Sequence, residues 1–243
     1  MPWPSSPRWA ARPSAPTLGP IQERSVTAQT SSPGRDLVRT VAKNDLGNAV
    51  FGVAEVAFDH NLAEGVIRDI PIVGTIANLV RTGRSISEEL FIRKLVRFLD
   101  GLKDVPPEER QRLLEKYPDA SEEQRTLGEK LLLALERLDD TAKPALLARF
   151  FAAYIREEID YTTFTRLANA LEKFNLALFP NLRWFYTHEE PQMETPEEIT
   201  HELSLAGLVL VQLSGSGSFG GSAGYRQSSL GKIFLRIGFD VQV

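Results

Sequence analysis

Apolar residues recur at helical spacing along most of this chain, and the pattern predicts a mainly α fold. The clearest stretch is 85–102, where Ile86, Leu90, Phe91, Leu95, Phe98, Leu99 and Leu102 fall on one face and Arg93, Lys94 and Arg97 on the other. Ser85 and Glu88 open it with the S-x-x-E spacing of a capping box. A short helix over "DVPPEERQRLLEKYPDA" is entered through Pro106 and Pro107 and stops before Pro118. A second box, Ser121 and Gln124, starts a helix striped by Leu127, Leu131, Leu135 and Leu138. Two more follow: "TAKPALLARFFAAYIREEI", and "DYTTFTRLANALEKFNL" with Phe164, Leu167, Leu171, Phe174 and Leu178. Short polar joints between these segments favour antiparallel packing, so residues 85–178 read as a helical bundle.

Upstream, residues 36–84 hold two nearly uncharged pieces, "LGNAVFGVAEVAF" and "IPIVGTIANLV". Each is too short to cross a bilayer as a helix, and together they read as an apolar helical hairpin, either core or lying at a membrane surface. Downstream, residues 179–243 read as a connector followed by a small unit with a β-hairpin. "FPNLRWFYTHEEPQMET" is aromatic and is read as an irregular connector. "TPEEITHELSLAGLV" restarts a helix, with Thr195 as N-cap, Pro196 in the first turn, Glu198 completing a box and Gly207 as the stop. "LVLVQL" is a strand at 208–213, and a second is expected near 225–229. Leu230, Ile233, Phe234 and Ile237 then mark a closing helix. Helix, glycine stop, strand, loop, strand, helix is the order of a winged-helix ending.

The loop between the strands, within "LSGSGSFGGSAGYR", places Gly215, Gly217 and Gly220 in G-x-G-x-x-G spacing. A dinucleotide-binding loop must join a strand directly to a helix whose amides face the pyrophosphate. Here a strand follows, and too little chain remains for a nucleotide domain, so the loop reads as a mobile wing tip. His60, His188 and His201 are scattered; Glu198 and His201 form an E-x-x-H pair, but no second E-x-x-H exists to complete a di-iron set. Carboxylate pairs such as Glu157/Glu158, Asp139/Asp140 and Glu189/Glu190 sit at helix ends or joints, with no nucleophile motif nearby. No catalytic constellation, cofactor or metal site is expected.

Composition changes the picture in two places. Cysteine is absent, which removes disulfides and thiolate chemistry. Residues 1–35 carry Arg8, Arg12, Arg24 and Arg35 against Glu23, while the whole chain has a net charge of −4, so the body is acidic. That proline-, serine- and arginine-rich head reads as a disordered tail, and an acidic body disfavours general nucleic-acid binding. The strongest local cluster of cations is Arg81, Arg84, Arg93, Lys94 and Arg97, a candidate contact for a protein partner or a membrane surface. If the winged-helix ending binds DNA instead, Arg226, Lys232 and Arg236 are the candidate contacts.

The segments "DIPIVGTIANLVRTG", "KLVRFLDGL", "RFFAAYIREEIDYTTFTRLANAL" and the closing "AGLV…YRQSSLGK" resemble an uncharacterised type of helical bacterial protein. Their layout is loosely similar to the abortive-infection alpha family associated with phage defence. The resemblance implies a bacterial protein that is cytoplasmic or peripheral to the inner membrane. Such a protein would act through protein contacts, self-association or membrane-surface contacts rather than catalysis. It implies no catalytic residues, and the proline-rich head departs from the pattern.

Overall fold

The computed structural model describes residues 32–43, 45–47, 70–79, 86–188, 195–213 and 223–243. Among them the chain is mainly helical, with a two-stranded antiparallel sheet near the C-terminus. In chain order the helices are α1 (Pro33–Ala42), α2 (Pro71–Leu79), α3 (Ile86–Asp100), α4 (Pro107–Lys116), α5 (Glu122–Arg137), α6 (Lys143–Ile155) and α7 (Tyr161–Lys173). A 3-10 turn at Leu176–Leu178 leads into α8 (Phe179–Thr187), then α9 (Glu197–Leu205), strands β1 (Val209–Leu213) and β2 (Ala223–Gln227), and α10 (Ser229–Phe239).

The core forms around α6, because α6 is apolar nearly all round and must be enclosed on several sides. Leu147, Ala148, Phe150, Phe151, Ala152, Ala153, Tyr154 and Ile155 are all buried, and α3, α4, α7 and α10 pack around them. Phe151 meets Phe98 of α3 and Phe164 of α7, with ring centroids 5.9 and 5.4 Å apart. Phe234 of α10 lies 5.2 Å from Phe150 and 5.4 Å from Phe174, so the C-terminal helix belongs to the same core. Of the stripe expected on α3, Leu95, Phe98 and Leu99, with Leu102 just beyond the helix, are buried, while Phe91 is half-buried and Leu90 is 42% exposed. Along α5, Leu127, Leu131, Leu135 and Leu138 are buried as expected.

Helix α1 lies on α5 through two glycines. A Cβ on Gly34 would stand 2.6 Å from the Arg125 carbonyl oxygen, and one on Gly128 would overlap the backbone of Gly34. The two helix backbones therefore touch, which only residues without a Cβ permit. On its other side α1 receives α2, whose Ile72 and Val73 are fully buried, and the Thr75 hydroxyl donates to the buried Asp36 carboxylate at 2.9 Å.

Helix ends are closed largely by cations from other helices. The last turn of a helix has carbonyls without intrahelical partners and carries partial negative charge. Arg110 of α4 is 1% exposed and donates to the carbonyls of Val41 (2.8 Å) and Lys43 (2.5 Å) at the end of α1, and to Val105 (2.9 Å). Burial pushes its pKa below the usual arginine value, opposed by the nearby Glu108. Lys143, also buried, donates to the Glu172 carbonyl near the end of α7 and pairs with Asp139 at 2.5 Å, holding that carboxyl below its ordinary pKa. Arg149 reaches the Gly238 carbonyl of α10 and Asp240 beyond it, both at 2.9 Å.

Four expectations change at the level of elements. The aromatic stretch from Phe179 to Thr187 is a helix rather than an irregular connector. Pro180 stands in its first turn, and Leu182, Phe185 and Tyr186 bury one face at i, i+3 and i+4. Pro196, not Thr195, is the N-cap of α9, with no side-chain cap bond; Thr195 is buried. The Ser121 hydroxyl accepts the Gln124 amide as expected, but the Gln124 side chain accepts from Ala120 rather than closing a reciprocal box. The second strand ends at Gln227, two residues earlier than expected, because Ser228 caps α10. Ser85, the cap of the Ser85/Glu88 box, most of the "LGNAVFGVAEVAF" piece (from 48 on), residues 1–31 and the glycine-rich loop at 214–222 lie outside the described residues.

Two stability outcomes follow from these contacts. Gly128→Ala loses about 2–3 kcal/mol or more in urea unfolding, because two backbones must separate. Gly47→Ala, where an added methyl meets nothing within 4 Å, stays within about 0.5 kcal/mol. Arg110→Met leaves buried carbonyls unpaired and loses about 2–4 kcal/mol in the same assay. Arg110→Lys recovers only part of that, because one ammonium cannot span the positions that a guanidinium fork reaches.

Candidate protein-interaction site

The C-terminal unit is assembled on one buried phenol. The Tyr186 hydroxyl, at the end of α8, donates to the Leu208 carbonyl just before β1 and accepts the Ser228 amide at 2.8 Å. The Ser228 hydroxyl in turn contacts the carbonyls of Gly207 (3.0 Å) and Leu208 (2.9 Å) and accepts the Gly231 amide at 2.8 Å as N-cap of α10. Gly231 is required here, since a Cβ would collide with the Tyr186 hydroxyl. Burial raises the phenol's pKa above the usual tyrosine value. From the preceding position, the Gln227 side chain donates to the Phe185 and Tyr186 carbonyls. Three elements far apart in sequence thus share one polar node, with its donors and acceptors matched.

Helix α9 ends against this node in a Schellman motif. Gly207, at φ +74°, donates to the Ser204 carbonyl at 2.9 Å, and Leu208 donates to Leu203 at 3.0 Å. The chain then enters β1, which pairs with β2 in the register Val209↔Gln227, Leu210↔Arg226 and Val211↔Tyr225. Val209 and Tyr225 are buried, so the alternate face, with Leu210 and Arg226 opposite each other, points outward.

The burial of Thr200 and Leu203 fixes which side of α9 faces out. That side carries Glu197, Glu198, His201, Glu202 and Leu205, all exposed, and Leu205 is 61% exposed. Among the described residues none of these carboxylates is in an ion pair. Leu210 adds exposed apolar surface on the outward face of β1, whereas the exposed Val211 lies on the same face of the hairpin as Val209 and Tyr225. The outward face of α9 is therefore acidic and apolar together.

The residues singled out by sequence fall in different places. Arg81, Arg84 and His60 lie outside the described residues. Arg93 pairs with Glu89 at 2.5 Å, Lys94 donates to the Glu136 carbonyl at the end of α5 (3.1 Å), and Arg97 donates to the Thr141 carbonyl (3.1 Å). This basic stripe thus spends much of its bonding inside the protein, closing α5 as Arg110 closes α1. Arg226, Lys232 and Arg236 are exposed and, among the described residues, enter no ion pair. His188 stacks on Trp184, and His201 is exposed beside Glu198 and Glu202. Among the described residues no group of three or more His, Asp or Glu is placed to hold a metal.

A cleft of about 430 Å³ lies where α3, α6 and α10 end. Arg149, Arg156 and Arg236 line it, but so do Asp104, Glu158 and Asp240. Arg149 and Arg156 are held by Asp240 and Glu109, both at 2.9 Å. Positive and negative groups balance there.

No protein-family model, curated protein or solved structure matches this chain. Sequence reasoning missed the Tyr186–Ser228 node, whose only local trace is the Ser228 to Gly231 capping spacing. Tyr186→Phe strands the Ser228 amide and is expected to cost about 1–3 kcal/mol. Amide exchange should accelerate first at Ser228 and along β1, ahead of α6; uniform acceleration would contradict the node's local role.

Proposed function

We propose that the C-terminal unit is a winged-helix-like docking module and that the chain acts by binding protein rather than by catalysis. The observation that carries this reading is the outward face of α9. In a DNA-reading winged helix the corresponding helix enters the major groove, and its flanks meet phosphates through Lys and Arg. Here that face presents Glu197, Glu198 and Glu202 with no Lys or Arg in the helix, and its exposed apolar residue is Leu205. Carboxylates repel phosphate, whereas an apolar patch rimmed by charge suits a protein surface.

The burial of Ile72 and Val73 against the bundle, and the ties of Lys94 and Arg97 to carbonyls, favour protein contact over membrane contact. The likeness to the abortive-infection alpha layout supports bacterial phage defence as the setting of this docking. The competing reading, a DNA-binding regulator, rests on the exposed Arg226, Lys232 and Arg236.

Two measurements decide between them. Fluorescence anisotropy with a mixed-sequence duplex of about 30 bp, at roughly 50 mM salt, should show no saturable binding at micromolar protein. A photo-crosslinking side chain at Leu205 should give discrete protein adducts in cells, and the same group at Glu115 on α4 should not. Tight, salt-dependent duplex binding, or no adduct at Leu205, would overturn the docking reading.

A further inference from the structure

The C-terminal unit carries two exposed helix faces of opposite sign. On α9, Glu198 and Glu202 are one turn apart, and on α10, Lys232 and Arg236 are also one turn apart. All four side chains are exposed, and among the described residues none enters an ion pair. Four residues of α-helix advance about 6 Å, so the two pairs of charges have the same pitch.

We infer that two copies of this chain dock through these faces, α9 of one copy against α10 of the other. Laid antiparallel, Glu198 meets the second copy's Arg236 and Glu202 meets its Lys232, and the helix dipoles also oppose favourably. Leu205 then falls one turn further on, over the start of the second copy's α10 at Ser229. Exposed ion pairs set register and specificity, while burial of Leu205, now 61% exposed, supplies the apolar part of the contact. The opposite signs point to a second copy as the occupant, since each chain carries both halves of the match and the helical pitch lets them meet in register. This inference rests on the docking reading of α9 and names its partner.

The test is a charge exchange read by sedimentation equilibrium across the micromolar range. The wild-type mass should rise from 27.1 kDa toward twice that value. At about 1 M salt, where the screening length is about 3 Å, association should weaken. Glu198→Lys with Glu202→Lys should weaken self-association at least about tenfold, and so should Lys232→Glu with Arg236→Glu, because like charges then face each other. Mixing the two double variants should restore association as a heterodimer, and combining all four changes in one chain should restore the homodimer. Circular dichroism of each variant should match wild type, and thermal unfolding should fall only slightly, because Glu198 in the first turn of α9 and Arg236 in the last turn of α10 lose only a favourable dipole contact.

A wild-type chain that stays monomeric, double variants that still associate, or a mixture that fails to associate would overturn self-docking. The photo-crosslink at Leu205 separates the two conclusions. Adducts to a different protein, with a monomeric wild type, would leave α9 as a docking face and remove the second copy as its occupant.

Discussion

Every helix that stops inside this protein must find donors for its last carbonyls, and that need organises the packing. Arg110 closes α1 from α4, Lys94 closes α5 from α3, Lys143 closes α7 from the start of α6, and Arg149 closes α10 from α6. Each cation meets the partial negative charge at the far helix end, and the buried Val41 carbonyl gains the partner it would otherwise lack. These caps tie the ends of α1, α5, α7 and α10 to neighbouring helices across the bundle around α6.

The C-terminal unit obeys the same logic with neutral groups. Tyr186, Leu208 and Ser228 meet over separations of 22 and 42 residues, and their hydrogen bonds fix where α8 ends, β1 begins and α10 begins. Because that inner side is fully engaged, the outward sides of α9, β1 and α10 are left to carry charge and apolar surface without structural duty. Function, on this reading, sits on faces that the fold does not use.

Much of this was legible in the sequence where the cause is local. The apolar periods of α3, α5, α6 and α7 encode their buried faces, Gly207 encodes its own left-handed turn, and Ser121 encodes a helix start. The hairpin also follows from β-rich "LVLVQL" and the turn chemistry beyond it. What escaped was either masked by composition or set at a distance. The run "FPNLRWFYT" has a helical period of Leu182, Phe185 and Tyr186, but its aromatics obscured it. The stripe of Arg93, Lys94 and Arg97 reads as a free basic patch because backbone carbonyls 42 and 44 residues away leave no mark in sequence. The acidic side of α9 was visible as composition, and the burial of Thr200 and Leu203 turned it into an oriented surface.

The meeting of Gly34 with Gly128 has a further consequence, in mechanical terms. Two smooth helices can slide past one another in small steps, whereas a backbone notch one residue wide admits a single position. A shift of α1 by one residue in either direction brings Pro33 or Arg35 to the notch, where neither side chain fits. Arg110 holds the far end of the same helix by its carbonyls. Helix α1 is thus keyed at one end and latched at the other: it is seated fully or released fully, with no intermediate register in between.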